Sequence, residues 1–367
     1  APTDSAGSHI GTGGLAGGSA ATPTYGSVER PREAGSGGWN GSAMPGGGVI
    51  RIEAGTLALG GATAKIVANG EGAPWAGWRG GAGGSIWITA GSMTGDGLIE
   101  AGGGRSDQSG GGGAVAIDYG VATGTALSRA NAKGGGTGSG VRNGGAGTVY
   151  LKGPGTTHGT LRIDNLGTTG QKTVLPSLGL GTAQSGTAGA TLVTDRSATI
   201  PAYFAGHWVE ITRGGSLLGT WRIGTIADRT VTLEPNAAEA ISLQAGDLWQ
   251  GVYRFDEVTV TGNAILDSDD PIRMPTVNLT GPTTAGSYTE IVERVVAETV
   301  TVTGNVIVPG LTATDLTVKS GALLTNPSST ATQVRVLDLN VSGTLTIEQG
   351  GSIDVTGRGY PAGTTYA

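Results

Sequence analysis

The chain has 367 residues, no cysteine, 72 glycines and a formal net charge of −6 at pH 7. Its acidic balance, without any Lys/Arg cluster, predicts no nucleic-acid partner, because phosphate backbones are bound by clustered cations. No run of 18 apolar residues is present, which predicts no membrane insertion, and the lack of cysteine excludes disulfides and cysteine metal sites.

The first part of the chain is built on glycine, with 46 of the 72 glycines in residues 1–155. Four glycine-led strands align there at intervals of 36, 29 and 34 residues, ending at Ile52, Ile88, Ile117 and Leu151. A second short strand is predicted after each, in "AKIVANG", "GLIEAGG", "ALSRANAKGG" and "GTLRIDN". A period of 20 to 50 residues is typical of stacked supersecondary units.

These glycines have two possible roles. A phosphate-binding loop needs a helix directly after it, and no helix is predicted after "GTGGLA" or "GTTGQKT". Packing is the favoured interpretation, because neighbouring coils of a parallel β-solenoid lie about 4.7–4.9 Å apart and a Cβ would clash between them. We therefore predict structural glycines.

Residues 186–253 differ from the glycine-rich part. They contain three of the seven tryptophans, one of the two phenylalanines and longer strands separated by turn signals such as "RGGS". This pattern predicts a small antiparallel β-barrel or sandwich with an aromatic core, inserted between two runs of coils.

The last third repeats a different unit, an alternating Val/Leu/Thr strand, a glycine corner and a second apolar strand. The four copies are "DEVTVTGNAIL" (256–266), "ETVTVTGNVIV" (298–308), "TDLTVKSGALL" (314–324) and "LDLNVSGTLTI" (337–347). Alternation with a period of two directs one face inward. The spacing also predicts that Val302, Val318 and Val341 lie one coil apart.

The predicted fold class is therefore all-β: a parallel β-helix (β-solenoid) with glycine-rich coils and a small inserted antiparallel module. The predicted domains are glycine-rich coils in residues 1–185, the inserted module in 186–253 and a second run of coils in 254–367. Strands, Gly/Asn corners and the absence of helix signals favour this fold over βαβ units.

One cluster could hold a metal ion. Asp267, Asp269 and Asp270 in "LDSDDPIR" supply oxygen ligands of the kind that Ca²⁺ prefers. The alternative is a solvated corner, with aspartate at a turn before Pro271. No other cofactor is predicted, since the three histidines lie far apart and lack zinc spacing.

Exposed aromatic side chains could contact a glycan or a protein partner. Trp75 and Trp78 lie in "APWAGWRGG" beside Arg79, and Trp39 lies in a similar glycine loop. The alternative is that these tryptophans cover the edge of the coils.

The chain ends suggest self-association. The end "GSIDVTGRGY" followed by the beginning "GSHIGTGGLA" would read as continuous coil, although loop ends of other β proteins look similar. Copies stacked end to end, or neighbouring repeats of a longer chain, are the predicted partners. The candidate contacts are His9, Tyr360 and Tyr366.

Charged residues occur about once per coil in the first part, as Arg51 with Glu53, Asp118 and Lys152. Polysaccharide lyases and glycoside hydrolases built on β-helices gather such groups on one outward face. A ladder of charges that only aids solubility would look the same in sequence.

The motifs "GGGVIRIEAGTLAL", "GAGGSIWITAGSMTGDGLIEAGGG" and "GGGGAVAIDY" resemble the glycine-rich β-helix repeats of very large secreted bacterial surface, adhesin-like or fibre-forming proteins. The resemblance covers residues 1–165 and 335–367 well and 254–334 more loosely. It implies a right-handed parallel β-helix, an extracellular location and no catalytic residues.

The predicted function is a structural or adhesive β-solenoid of a bacterial cell surface, one repeat of a fibre or filament, without catalysis. Two alternatives stay open: a β-helix polysaccharide lyase or glycoside hydrolase, and a phage fibre or tailspike segment.

Overall fold

The computed structural model describes residues 5–15, 22–39, 43–73, 77–136, 140–237, 239–284, 288–292 and 295–364. The protein is nearly all β, with 45% of residues in strands and 3% in helices, and its large sheets contain parallel strands. The all-β prediction is confirmed at this level. The helical elements are single turns: α1 (Ala126–Arg129) and 3-10 turns at Gly140–Arg142 and Ala202–Phe204.

Among the described residues, the glycine-rich part forms eight strands. In chain order they are β1 (Gly38–Trp39), β2 (Ala43–Met44), β3 (Val49–Leu59), β4 (Lys65–Val67), β5 (Ser85–Gly95), β6 (Leu98–Glu100), β7 (Ala114–Thr123) and β8 (Thr148–Lys152). Strands β3, β5, β7 and β8 pair in parallel and are called the first ladder. Ile52, Ile88, Ile117 and Leu151 lie opposite one another in it, which confirms the predicted repeat alignment.

Between these strands the glycine segments hydrogen-bond with a period of three residues. The backbone amides of residues 80 and 83 donate to carbonyls of 108 and 111, those of 81 and 84 to 71 and 68, and those of 82 and 85 to 36 and 48. Three residues per turn is the period of the extended polyproline II helix, whose successive backbone groups point in three directions. The segments therefore form a backbone array, here called the glycine array, in which each is bonded to several neighbours.

Glycine is needed in this array because of space. A Cβ added to Gly83, Gly112 or Gly147 would overlap a backbone carbonyl of an adjacent segment. None of the three has a left-handed φ, so their backbone conformation is open to other residues. This supports the structural interpretation of the glycines.

Two of the predicted second strands differ from expectation. Residues 126–129 of "ALSRANAKGG" form helix α1 instead of a strand. Of the residues that follow in this segment, only Asn131 forms a β-bridge, and its partner is Glu100 at the end of β6. The segment "GTLRIDN" does form a strand, β9 (Thr160–Asp164), but β9 pairs antiparallel with β8 and begins another ladder. The direction of the sheet strands is therefore reversed at this point.

Apart from β1 with β2 and β8 with β9, the antiparallel strand pairs of the described residues lie in the middle of the chain. After β10 (Thr173–Leu175) the strands are β11 (Leu180–Thr182), β12 (Ala188–Gly189), β13 (Thr191–Val193), β14 (Trp208–Arg213), β15 (Ser216–Ala227), β16 (Thr230–Glu234), β17 (Leu243–Gln244) and β18 (Leu248–Arg254). They enclose an aromatic core that includes Phe204, Trp221 and Trp249, but across the described residues they do not close into a barrel. The domain boundaries at 186 and 253 stay a prediction.

The last part returns to parallel pairing. Its strands are β19 (Glu257–Thr261), β20 (Ile265–Ser268), β21 (Ile272–Thr280), β22 (Thr289–Ile291), β23 (Val295–Thr303), β24 (Asn305–Ile307), β25 (Gly310–Val318), β26 (Leu323–Thr325), β27 (Asp338–Val341), β28 (Leu345–Ile347) and β29 (Ser352–Ile353). Strands β9, β19, β21, β23 and β25, followed by β27 and β28, form the second ladder. Strands β10, β20, β22, β24, β26 and β29 form the third ladder.

The register of the second ladder corrects one sequence prediction. Val302 does pair with Val318, but Val318 pairs with Ile347, and Val341 pairs with Ala313. The reason is that the long strand β25 binds both β27 and β28, which are separated by a turn at 342–344. The coil formed by β21 and β22 was not predicted, because Pro275 and the polar residues around it hide the alternation.

The buried face of the long sheet changes side where β8 meets β9. In the first ladder the buried row contains Ile86, Val115 and Val149, and the opposite face carries Tyr150. Tyr150 lies opposite Leu161, whose face is the buried one throughout the second ladder. The outward face of the first ladder is therefore continuous with the core of the second.

Candidate functional site

The outward face of the first ladder presents two rows of side chains near this change of side. Cross-strand register places Arg51, Trp87, Ala116 and Tyr150 in one row, and Glu53, Thr89, Asp118 and Lys152 in the next. Successive strands are about 4.8 Å apart, so each row crosses the ladder at regular spacing. The charges that the sequence places once per coil thus share one face.

A groove of about 260 Å³ lies over these rows. Its other walls come from the segment at Glu29 and Arg30 and from Arg222 of β15. We call it the charged groove and define it by Glu29, Arg30, Trp87, Asp118, Lys152 and Arg222.

An ion pair joins two walls of the charged groove. Arg222 binds Glu29 at 2.6 Å, and the two side chains are only 15% and 12% exposed. Arg222 also donates to the Gly206 carbonyl, and its guanidinium lies 4.1 Å from the ring centre of Trp208. The contact therefore fixes the N-terminal segment against the antiparallel strands, and Arg222 is held in place before any ligand arrives.

The indole of Trp87 is flanked by cations. The Arg51 and Arg32 guanidinium carbons lie 4.7 and 5.7 Å from its ring centre, within the range of cation–π attraction. Arg51 also pairs with Glu53. Trp87 therefore lines the groove as an aromatic ring whose position is supported by guanidinium groups outside the groove lining.

The closed end of the groove is formed by Tyr150. Its hydroxyl donates to the His158 carbonyl at 2.8 Å, and burial, with Glu29 nearby, raises the pKa of Tyr150 far above its usual value. Burial, with the adjacent Arg254, lowers the pKa of His158. Asp256 accepts backbone N–H groups from residues 157–159. Both ring side chains are therefore neutral at pH 7, and hydrogen bonds hold the Tyr150 hydroxyl and the backbone at His158.

Three charged side chains in the charged groove are left without a counter-ion. Within the described residues, Arg30, Asp118 and Lys152 form no side-chain hydrogen bond or ion pair. Glycoside hydrolysis normally requires two carboxyl groups on opposite sides of the bond, and here Glu29 is already bound to Arg222. Arg30, Asp118 and Lys152 are therefore the charged groove side chains that can bind a polar ligand.

The three aspartates predicted as calcium ligands are used separately. Asp267 pairs with Lys172 at 3.0 Å, Asp269 is exposed, and the buried Asp270 accepts hydrogen bonds from Ser177 and from the backbone at 178 and 179. Over the described ranges, no three His, Asp or Glu side chains gather as a metal site would require. The structure therefore does not bring these aspartates together.

Asp270 also lies 3.1 Å from His207, so a serine, a histidine and an aspartate meet here. In a catalytic triad the histidine contacts the serine hydroxyl. Here the carboxylate lies between them and Ser177 donates to Asp270. His207 and Asp270 are 8% and 1% exposed, so this cluster holds β14 and the loop before β21 together.

The predicted glycan-contact residues differ in exposure. Trp39 is 47% exposed, Trp78 is half-buried and Arg79 is buried, while Trp75 lies outside the described residues. Gly38 packs on the Arg79 backbone, so Trp39 and Arg79 belong to adjacent segments. They lie on the glycine array and do not line the charged groove.

The predicted self-association residues differ in accessibility. His9 is fully buried in the glycine array, where its Nδ1 lies 2.9 Å from the Gly83 carbonyl oxygen. Tyr360 is half-buried near the C-terminus, and Tyr366 lies outside the described residues. A second copy could not reach His9 in the folded chain.

Sequence reasoning found part of the charged groove and missed the rest. Asp118 and Lys152 follow from the repeat, and Trp87 could have been found from its outward position in "GSIWITA". Glu29 and Arg222 are 193 residues apart and carry no shared pattern. Among the helices of the described ranges, none has the length and apolar character to cross a membrane.

No protein-family model, curated protein or solved structure matches the chain. The resemblance to glycine-rich β-helix repeats therefore stays a prediction. Support for a function comes from the ladders and the charged groove alone.

Proposed function

We propose that the chain is a structural and adhesive β-solenoid, a segment of an extracellular bacterial fibre or filament that joins its neighbours end to end. The coils of the second part support this proposal, because β21, β23 and β25 join the second ladder while β22, β24 and β26 join the third, an alternation that a parallel β-helix would produce. The first ladder advances in the same way through β3, β5 and β7.

The main support for this proposal is that apolar side chains on the terminal strands are left partly exposed. Leu345 and Ile347 pair with the fully buried Leu316 and Val318, yet they are 45% and 47% exposed because no described strand covers them. At the other end, Ile50 and Ile52 of β3 are half-buried beside fully buried partners in β5. Uncovered apolar edge strands are typical of surfaces that bind another chain.

The direction of the strands defines how such ends can join. Because β8 and β9 are antiparallel, β3 at one end runs opposite to β27 and β28 at the other. A copy added end to end in the same orientation would place β28 antiparallel to β3. The molecule already contains one junction of this kind, between β8 and β9.

Hydrodynamics and electron microscopy over a concentration series test the proposal. We expect elongated oligomers that grow with concentration, and we expect Leu345→Lys with Ile347→Lys to leave monomers, since charges would replace the apolar edge. Leu217→Lys, at a site 60% exposed on the β15 hairpin, is the matched control and should still assemble.

Two results would contradict the proposal: a compact monomer at every concentration, or equal loss of assembly in the Leu217→Lys control. A polysaccharide-degrading enzyme remains the second candidate, because acidic and basic side chains meet in the charged groove. Release of sugar fragments from polysaccharide by the monomeric variant would support that candidate.

A further inference from the structure

We propose that the charged groove binds an anionic polysaccharide, a chain of sugars that carry carboxylate or sulfate groups. Nothing in this proposal depends on end-to-end assembly. The groove lies on the side of the first ladder and does not include the terminal strands β27 and β28.

The charge of the groove is opposite to that of the whole protein. The chain has a net charge of −6, yet the groove has three cations, Arg30, Lys152 and Arg222, against two carboxylates, Glu29 and Asp118. Glu29 neutralises Arg222. The excess is therefore carried by Arg30 and Lys152, whose side chains have no ion-pair partner among the described residues. Cations left free in this way suit carboxylate or sulfate groups.

The polar side chains along the rows suit sugar hydroxyls. Thr89 and Asp118 lie opposite each other on β5 and β7, one strand spacing apart, followed by Lys152 on β8. Asp118 accepts hydrogen bonds and Thr89 both donates and accepts them. A chain laid across the strands would meet hydroxyl-binding groups and then a cation, about 4.8 Å at each step.

The floor of the groove is already formed in the free protein. Ala116 leaves space between Trp87 and Tyr150 in the same row, and the Glu29–Arg222 pair holds the opposite wall. Sites that need little ordering lose less conformational entropy when a ligand binds. This favours a rigid saccharide site over a surface that must rearrange.

A single-stranded nucleic acid is a poorer fit for the same cations. Such ligands bind by stacking bases on exposed aromatic faces, and the Trp87 ring is flanked by Arg51 and Arg32. Tyr150 is buried. An oligonucleotide therefore serves as an anionic probe that we expect to bind more weakly than the anionic sugars.

Calorimetric titration of the full chain tests the proposal with four probes: a galacturonate hexamer, a sulfated hexasaccharide, cellohexaose and a hexanucleotide. We expect the two anionic sugars to bind, cellohexaose to bind at least about tenfold more weakly, and added salt to reduce binding. Lys152→Gln and Arg30→Gln should each weaken binding about fivefold, the upper range for one partly exposed charge.

The matched control is Arg105→Gln, an exposed arginine on a connector of the glycine array, which should change affinity less than about twofold. Circular dichroism melts of each variant show that it is folded, and the Leu345→Lys, Ile347→Lys monomer should bind as the parent does. Equal affinity for cellohexaose or the hexanucleotide, no binding of either anionic sugar, or equal loss in Arg105→Gln would overturn the proposal.

Discussion

The glycine array and the second ladder hold neighbouring coils together in different ways. In the array, backbone amides bond to several adjacent segments, and the space between segments is too small for a Cβ. In the second ladder, coils enclose a core of side chains such as Val300, Leu316 and Val318. The first arrangement depends on the absence of side chains and the second on their volume, so the two should respond differently to mutation.

The largest effect is expected in the array. Gly112→Ala places a Cβ onto the Ala132 carbonyl oxygen and close to the Gly147 amide nitrogen, so only a shift of the backbone itself could relieve the overlap. We expect a loss of about 4 kcal/mol or more in the free energy of unfolding, exceptional for one methyl group. Urea unfolding followed by circular dichroism measures it.

Gly48→Ala is the control for this substitution. Gly48 has no heavy atom within 4 Å of an added Cβ and no left-handed φ, so the change should stay within about 0.5 kcal/mol. Similar losses for the two variants would mean that close backbone packing does not limit the array.

A graded effect is expected in the second ladder. Leu316→Ala removes a fully buried side chain and should cost about 3 kcal/mol through lost burial and the cavity left behind. Hydrogen exchange should show weaker protection in β23 and β25 while the first ladder keeps its own. The neighbouring Thr317→Ala, on the outward face, should cost well under 1 kcal/mol. A loss of protection that spreads equally through the first ladder would show that the two regions unfold as one.

The smallest effect is expected in the pH dependence of stability, which should include a contribution from His9, an ionisable side chain buried in the array. Burial lowers the pKa of His9 from 6.5 to about 4. Between these values the unfolded chain binds a proton that the folded chain does not, so stability falls as the pH decreases from 7 towards 4. His9 should contribute a loss of about 2 kcal/mol between pH 7 and pH 5.

Comparison of the parent with His9→Gln separates the contribution of His9 from that of the carboxylates that titrate in the same pH range. The variant should lose less stability than the parent between pH 7 and pH 5. An NMR titration of the His9 ring gives its pKa directly. A ring that titrates near 6.5 in the folded protein would show that the array admits water and charge at this point.

The sequence predicted the first ladder well because each repeat places an isoleucine or leucine at the same point. It failed at β9, because a strand carries no sign of its direction relative to its neighbour. It also misplaced Val341, since the alternation in 337–347 does not reveal that two short strands share β25.

The charged groove was predictable only along the repeat. Asp118 and Lys152 follow the period of the coils, so their common face can be read from spacing. The contact of Glu29 with Arg222 depends on how the antiparallel strands dock on the first ladder. No local pattern encodes that docking.

The glycine array also has a thermal consequence. Exposure of apolar surface to water on unfolding raises the heat capacity, and exposure of polar surface lowers it. Because the array buries peptide groups in place of large side chains, its unfolding should carry a small heat-capacity change per residue. Its free energy of unfolding should then curve little with temperature, so the array should keep its stability in the cold, where the apolar core of the second ladder becomes weaker.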